Sequence, residues 1–579
     1  MSWHHAPMTF ADTADRFFAG FFRHYPMHAT EAGNHEHDDR WPDLTDAGRD
    51  ERLAFLADAR EGLEGLSADD LTRDEAIDRR VLLTQIDALR FDDEELDELR
   101  WNAVVYTYLL GGGLFSLLSR EFAPLPDRLR SAAGRMETLP ATLDAARANL
   151  TSGRGRAVSR FHVQKAIETM PGVAELSRTA AGMAAELEDA DLRARVERAA
   201  EGAAQAVDTY TAWLRDELLP AATGDFRLGR DLYERKFRHA LKATATPDEL
   251  EVRAAAAYDE VRAEMLRIAR VLWPSLIGDE ALPADTDALI RRVLDEIANE
   301  HPRADELLDF CRAETSRIEE FVRERDLIGL AEDPLDIIWT PPFLRAFGGA
   351  MLIPPGPLDR GQKSFFAITP APNDWTPEQV ESKLREDNSR SLRILTIHEA
   401  VPGHYLQLAW SNRCDSLPRA VFASGVFAEG WAVYVTQVMM DVGYGADDPA
   451  LLLAHWKYFL RAVTNTLMDI RIHAREPGMT EEEAMDLMVN GGFQERSEAS
   501  EKWNRARLSS TQLCEYFLGS AEMTDLEHEA RRRAEANGDE FVWRPFLESV
   551  LSHGTPPTPV IRDILFGEGT LPEVAAGRQ

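Results

Sequence analysis

Thr396-Ile397-His398-Glu399-Ala400-Val401-Pro402-Gly403-His404-Tyr405-Leu406-Gln407, followed downstream by Glu429-Gly430-Trp431-Ala432, is the stretch on which the reading of this chain turns. Hydrolysis at zinc needs nitrogen and oxygen ligands that leave one coordination position open, and a carboxylate beside that position. His398, His404 and Glu429 are the candidate metal ligands, and Glu399 is the candidate general base. In the HExxH pattern the histidines stand four apart on one helix face. Here they stand six apart, which on an unbroken helix leaves their side chains about 120° apart. Pro402 removes a backbone donor and disfavours helix at Val401, while Gly403 relaxes the chain. The sequence therefore predicts that the helix bulges or breaks at Val401-Pro402-Gly403 and swings His404 back toward His398. The alternative leaves His404 off the metal, donating to substrate or orienting another ligand. Glu429 lies in the apolar run Val421 to Met440, which reads as a buried helix, and a carboxylate there needs a metal or an arginine as partner.

Outward from this segment, helical patterning dominates. Leu53 to Leu66, Asp74 to Leu89, Ala141 to Leu150, Val173 to Ala204 and Asp248 to Val271 carry apolar residues at three- and four-residue spacing. Three short apolar runs bounded by Pro and Gly read as a small sheet near the catalytic helix: Ile337 to Thr340, Ala350 to Ile353, and Ser364 to Ile368. Gly348-Gly349, before the second run, permits close backbone approach. An exposed edge of such a sheet has the donors and acceptors to hold an extended peptide; the plainer reading is a sheet that caps the catalytic helices. The division predicted is a helical N-terminal lobe over 1–330 and a catalytic lobe over 331–579.

The chain of 579 residues is 44% hydrophobic, ample for a large core. Its net charge of −35 argues against a nucleic-acid surface, which needs clustered Lys and Arg. An acidic face would favour basic substrates, but the distribution of charge is not legible in sequence. Cys311, Cys414 and Cys514 are odd in number and far apart, so no disulfide framework or cysteine zinc site is expected. Met1 to Met8, with His4 and His5, lacks the basic and apolar regions of a signal peptide, and no run of about 18 apolar residues suggests a membrane span. The expectation is a cytoplasmic protein with no membrane or nucleic-acid partner, monomeric or homodimeric. His35 and His37, in a polar segment with Asp38 and Asp39, read as a capped loop, with metal binding or a lid over the site as alternatives.

The runs HEAVPGHYLQ and EGWAVY resemble those of the bacterial proteins grouped as domain of unknown function 885, a family similar in fold to zinc carboxypeptidases of the carboxypeptidase Taq type. Gly33 to Asp39 is similar to the family's early Gly-x-His-x-x-Asp region, and Leu228 to Tyr233 to its Gly-x-x-x-Tyr element. The resemblance covers nearly the whole chain. It implies a mainly α, zincin-like metallopeptidase, with His398, His404 and Glu429 on the metal and Glu399 as base. Another divalent metal than zinc would also suit those ligands. Thr511 to Gly519 is similar to a Gln-x-x-x-Tyr-x-x-Gly pattern of the family, which makes Gln512 and Tyr516 candidates to face the reacting carbonyl. Independently, Asp469 and His473 stand four apart. A carboxylate orienting an imidazole would make His473 an electrophile or a support for the metal; an ordinary helix ion pair is the alternative.

The function expected is zinc-dependent hydrolysis of short peptides, with action at the carboxyl end as one form of it. In that case Arg471, Arg505 or Arg507 would hold a free carboxylate. Two other readings stay open: a non-catalytic protein that binds peptides or a partner around a structural or vestigial site, and a hydrolase of other amides or esters.

Overall fold

The three- and four-residue apolar spacing becomes helix over most of the chain in the computed structural model, which describes residues 9–341, 345, 349–372 and 374–567. Met1 to Met8 and Gly348 lie outside the described residues. The protein is mainly α with one three-stranded mixed sheet. The strands are β1 (Leu335–Trp339), β2 (Ala350–Ile353) and β3 (Ser364–Ile368), in the order β1-β3-β2. β3 runs parallel to β1, with Leu335 opposite Ser364, and antiparallel to β2, with Ala350 opposite Ile368. β2 and β3 have the bounds expected from sequence, and β1 starts two residues earlier and ends one earlier than the expected run Ile337 to Thr340.

Two compact units divide the chain. The first comprises 1–226 with 355–362, and the second comprises 227–354 with 363–579. The boundary therefore differs from the one expected at 330. The reason is the helix Pro247–Leu276, whose Val261, Met265, Ile268 and Leu272 share a core with Leu453 and Leu460 of the helix Pro449–His473. An amphipathic stripe shows that a helix is buried but not against what.

In the first unit the expected single helix Val173 to Ala204 is two, Pro171–Ala184 and Ala190–Trp213. Asp189 breaks the run because its side chain caps the second helix, accepting from the amides of Asp191 and Leu192. The His35 segment ties the inserted loop 355–362 to this unit. His35 bonds Asp38 at 2.8 Å and Asp359 at 3.1 Å, and its ring stacks on Phe122.

In the second unit one core joins the sheet to the helices that carry His398, His404 and Glu429. Ile337, Phe366, Ile394, Ile397, Val435 and Leu547 all belong to it. Each such side chain, fully buried, contributes about 1.5–3 kcal/mol. Cys311 and Cys514 are buried, and none of Cys311, Cys414 and Cys514 is in a disulfide.

Candidate metal centre

Asn388 starts the helix Ser389–Glu399, its side chain accepting from the amides of Arg390 and Ser391. The helix stops at Glu399. Ala400 leaves the helical region (φ −104°, ψ −95°), the Val401–Pro402 bond is cis, and a new helix, His404–Ser411, begins after Gly403. The break expected at Val401-Pro402-Gly403 is thus present. Gly403 is required there by space: a Cβ would lie 1.9 Å from the carbonyl oxygen of His398. The Pro402 carbonyl accepts from the Trp431 indole at 2.9 Å, which fastens the break to the helix Gly425–Asp441 that carries Glu429. That helix in turn meets the helix Glu515–Asn537 where Gly430 crosses Gly519. A Cβ on Gly430 would lie 2.3 Å from the Gly519 Cα.

These constraints bring His398, His404 and Glu429 together, one ligand atom of each lying within 4.8 Å of the others. The Glu429 Oε2 stands 3.7 Å from His398 Nε2 and 3.4 Å from His404 Nε2. Ligands at about 2.0–2.1 Å on a tetrahedron stand roughly 3.3–3.4 Å apart, so the group fits one small divalent cation. The two imidazoles meet edge to face, with centroids 4.7 Å apart. Burial disfavours the charge of Glu429, but hydrogen bonds from His398 and His404 outweigh it and hold the carboxyl well below its ordinary range. For His404, burial is likewise outweighed by the Glu429 hydrogen bond and charge, which raise its pKa. The donor set is therefore drawn together by charge. The buried His398 Nδ1 has no hydrogen-bond partner among the described residues. Glu399 is 7% exposed, and its charge acts on His404 and on Tyr458.

The Glu429 charge acts on Tyr516, whereas His473 stands away from this group. The Tyr516 hydroxyl lies 3.1 Å from Arg505 Nη2, and burial together with the Glu429 charge pushes its pKa up to about 12. His473 belongs to the helix Pro449–His473. On that helix Tyr458 sets its ring 5.5 Å from the His398 ring. His473 follows fifteen residues later, about 22 Å farther along the axis. The expected role for His473 at the reacting carbonyl is therefore withdrawn. Nor does Asp469 orient it. The Asp469 Oδ1 accepts from the Tyr233 hydroxyl at 2.7 Å and the Thr511 amide at 2.9 Å, while His473 Nε2 bonds the Ala506 carbonyl at 3.0 Å. The i, i+4 face is turned into the core, where each side chain finds other partners. Burial pushes His473 down to about 4, so it is neutral at pH 7. Asp469 instead secures Thr511, held at φ +71°, in the turn that leads to Gln512 and Tyr516.

Of the arginines considered for a substrate carboxylate, Arg471 already pairs with Glu251 at 2.7 Å. Arg507 lies over Trp503 and bonds Asn504. Among the described residues Arg505 hydrogen-bonds to neutral partners, the Gln512 Oε1 at 2.8 Å and the Tyr516 hydroxyl. Tyr458 was not foreseen. Its signal was faint, because a tyrosine in an apolar helix reads as packing. Lys502 was also missed, although Glu498, Lys502 and Arg505 are spaced to share one helix face.

The family of bacterial proteins of unknown function DUF885 matches residues 26–565. A solved structure described as "a putative lipoprotein of unknown function from Shewanella oneidensis" is 32% identical, with a TM-score of 0.83 over 96% of this chain and 100% of that one. A second, "the putative lipoprotein from Colwellia psychrerythraea", has a TM-score of 0.78 at 15% identity over 96% of this chain and 98% of that one, a likeness of fold. No curated protein matches. The lipoprotein descriptions overturn the cytoplasmic expectation, since a lipoprotein is held at a membrane of the cell envelope. Among the described residues no single helix is long and apolar enough to cross a membrane.

Proposed function

We propose that this chain, which belongs to the DUF885 family of bacterial proteins of unknown function, is a zinc-dependent hydrolase of short peptides acting in the cell envelope. The observation that carries the reading is the convergence of His398, His404 and Glu429 at the separations one tetrahedral ion spans. A purely structural site has no use for a base, and Glu399 beside His398 supports a catalytic one. The resemblance to Taq-type carboxypeptidases supports a zincin-like fold and action at the carboxyl end. The lipoprotein descriptions of the two solved relatives support the envelope.

Zinc at these ligands would supply Lewis acidity toward water and the scissile carbonyl. Glu399 would take the proton of the attacking water and deliver it to the leaving nitrogen, a role worth about 10²–10⁴ in rate. The Tyr516 hydroxyl would donate to the developing oxyanion without adding charge, and its raised pKa keeps that proton in place at neutral pH.

The test is elemental analysis of wild type and His398→Ala, paired with a mixed peptide library offered to wild type and Glu399→Gln. One zinc per chain, lost in His398→Ala, with cleavage lost in Glu399→Gln while metal is retained, is the expected result. Metal without peptide cleavage would redirect the reading to other amides or esters. A protein that takes up no metal on reconstitution would be a binding protein.

A further inference from the structure

Two basic side chains near the proposed metal centre make no ion pair among the described residues. Glu498, Lys502 and Arg505 stand at i, i+4 and i+7 on the helix Arg496–Leu508. Close to them are Lys457 and Arg461 of the helix Pro449–His473 and Glu386, the last residue of the helix Pro377–Glu386. Glu386 pairs with Lys457 at 3.1 Å and Glu498 pairs through Oε1 with Arg461, while Glu498 Oε2 has no hydrogen-bond partner among the described residues and its charge acts on Lys502 without direct contact. Lys502 is only 8% exposed, yet among the described residues its ammonium makes no hydrogen bond or ion pair. Leaving a buried charge uncompensated is strongly unfavourable. Arg505 donates through Nη2 to two neutral oxygens, and no carboxylate of the described residues lies within ion-pairing distance of it. Its Nε and Nη1 have no acceptor among the described residues, so each is left to donate a charge-assisted hydrogen bond to an oxyanion.

This cluster adjoins the ligands. Arg461 lies over the Tyr458 ring at 5.7 Å, and that ring meets His398. Arg505 holds the Tyr516 hydroxyl, and the Glu429 charge acts on both Lys502 and Tyr516. Glu429 does not neutralise the pair, because its carboxylate is committed to His398 and His404. Glu515 accepts from the Gln512 Nε2 at 3.4 Å and makes no ion pair with Lys502 or Arg505 among the described residues. Burial and then the charges of Arg461 and Arg505 hold Lys502 well below the lysine range; a carboxylate placed beside it would reverse that.

We propose that Lys502 and Arg505 together anchor a carboxylate of the substrate. The carboxylate comes from a free C-terminus or from an acidic side chain next to the cleaved bond. The catalytic side of this inference rests on the hydrolase reading above; the binding side does not.

Four probes separate the possibilities: acetyl-Ala-Ala-Glu and acetyl-Ala-Ala-Gln, each as free acid and as C-terminal amide. Binding is measured by calorimetry on the zinc-loaded full chain, and cleavage by mass spectrometry, for wild type, Lys502→Met and Arg505→Met. Wild type is expected to bind the free acids about tenfold or more tightly than the neutral Gln amide. Both substitutions are expected to erase that preference with zinc content unchanged; Lys502→Met should act through KM, whereas Arg505→Met, which also releases the Tyr516 hydroxyl, should lower kcat as well. A preference set by the terminus marks an exopeptidase; one that follows Glu over Gln in both amide and acid marks a side-chain anchor. Equal binding of all four probes by wild type overturns the inference even if the variants fail to fold, and leaves the hydrolase reading standing wherever any probe is cleaved. Carboxylate-selective binding without cleavage of any probe keeps the anchor and removes the peptidase.

Discussion

Gly430→Ala tests whether the crossing of two helices sets the metal geometry. The added Cβ would lie 2.3 Å from both the Cα and the carbonyl carbon of Gly519. Carbon atoms in contact stand about 3.5–4.0 Å apart, so the helices must separate by roughly 1.2 Å or more. Glu429 is the neighbouring residue on the displaced helix, and metal–ligand distances tolerate about 0.2 Å. The expected cost is about 1–3 kcal/mol of stability from overpacking. Zinc affinity is expected to fall about 10–100-fold, the usual effect of disturbing the support of a ligand. Melting in the presence of a chelator reads the first quantity, and titration against a competing chelator reads the second. Gly202→Ala is the control, since its methyl would meet nothing within 4 Å. Gly430→Ala with wild-type melting and wild-type zinc affinity would falsify the argument that this contact positions Glu429.

Three further outcomes are expected. Saturating zinc should raise the melting temperature of wild type, with about 4 kcal/mol of added stability at a thousand times Kd, and should leave His404→Ala nearly unmoved; an equal shift in both would place His404 off the metal. Asp469→Ala removes the acceptor of the Tyr233 hydroxyl and Thr511 amide and should cost about 2–4 kcal/mol in denaturant unfolding, with peptide cleavage lowered through the displaced Tyr516 turn; a neutral result would end the positioning role. Burial opposes a charge on His35, whose side chain is 27% exposed, but bonds to Asp359 and Asp38 outweigh it and push its pKa up to about 9. A pKa raised in the folded state stabilises fully below about 6.5 and loses that stabilisation as pH rises through about 9, at most roughly 3 kcal/mol. His35→Gln should flatten that decline between about pH 6.5 and 9.5 in urea unfolding curves, and identical slopes for the two proteins would refute the clamp.

Much of the centre was legible in sequence because its chemistry is local. Pro402 and Gly403 end a helix wherever they occur in one, so the break between His398 and His404 could be read from the residues between them. The three strands were legible for the same reason, as short apolar runs between Pro and Gly. Helix termini followed local caps, and where a cap was overlooked, at Asp189, one expected helix proved to be two.

What only the tertiary structure decided depends on residues far apart in the chain. Asp469 and His473 share a helix face as their spacing required, yet spacing does not say what that face meets, and it meets Tyr233, Thr511 and Ala506. The boundary at 226 rather than 330 follows from a core shared between Met265 and Leu453, far apart in the chain. That Lys502 and Arg505 make no ion pair among the described residues emerges only once Lys457 and Arg461 are seen to pair with Glu386 and Glu498. Backbone conformation answers to neighbouring residues, and a sequence displays those; charge balance and burial answer to neighbours in space, which the fold alone supplies.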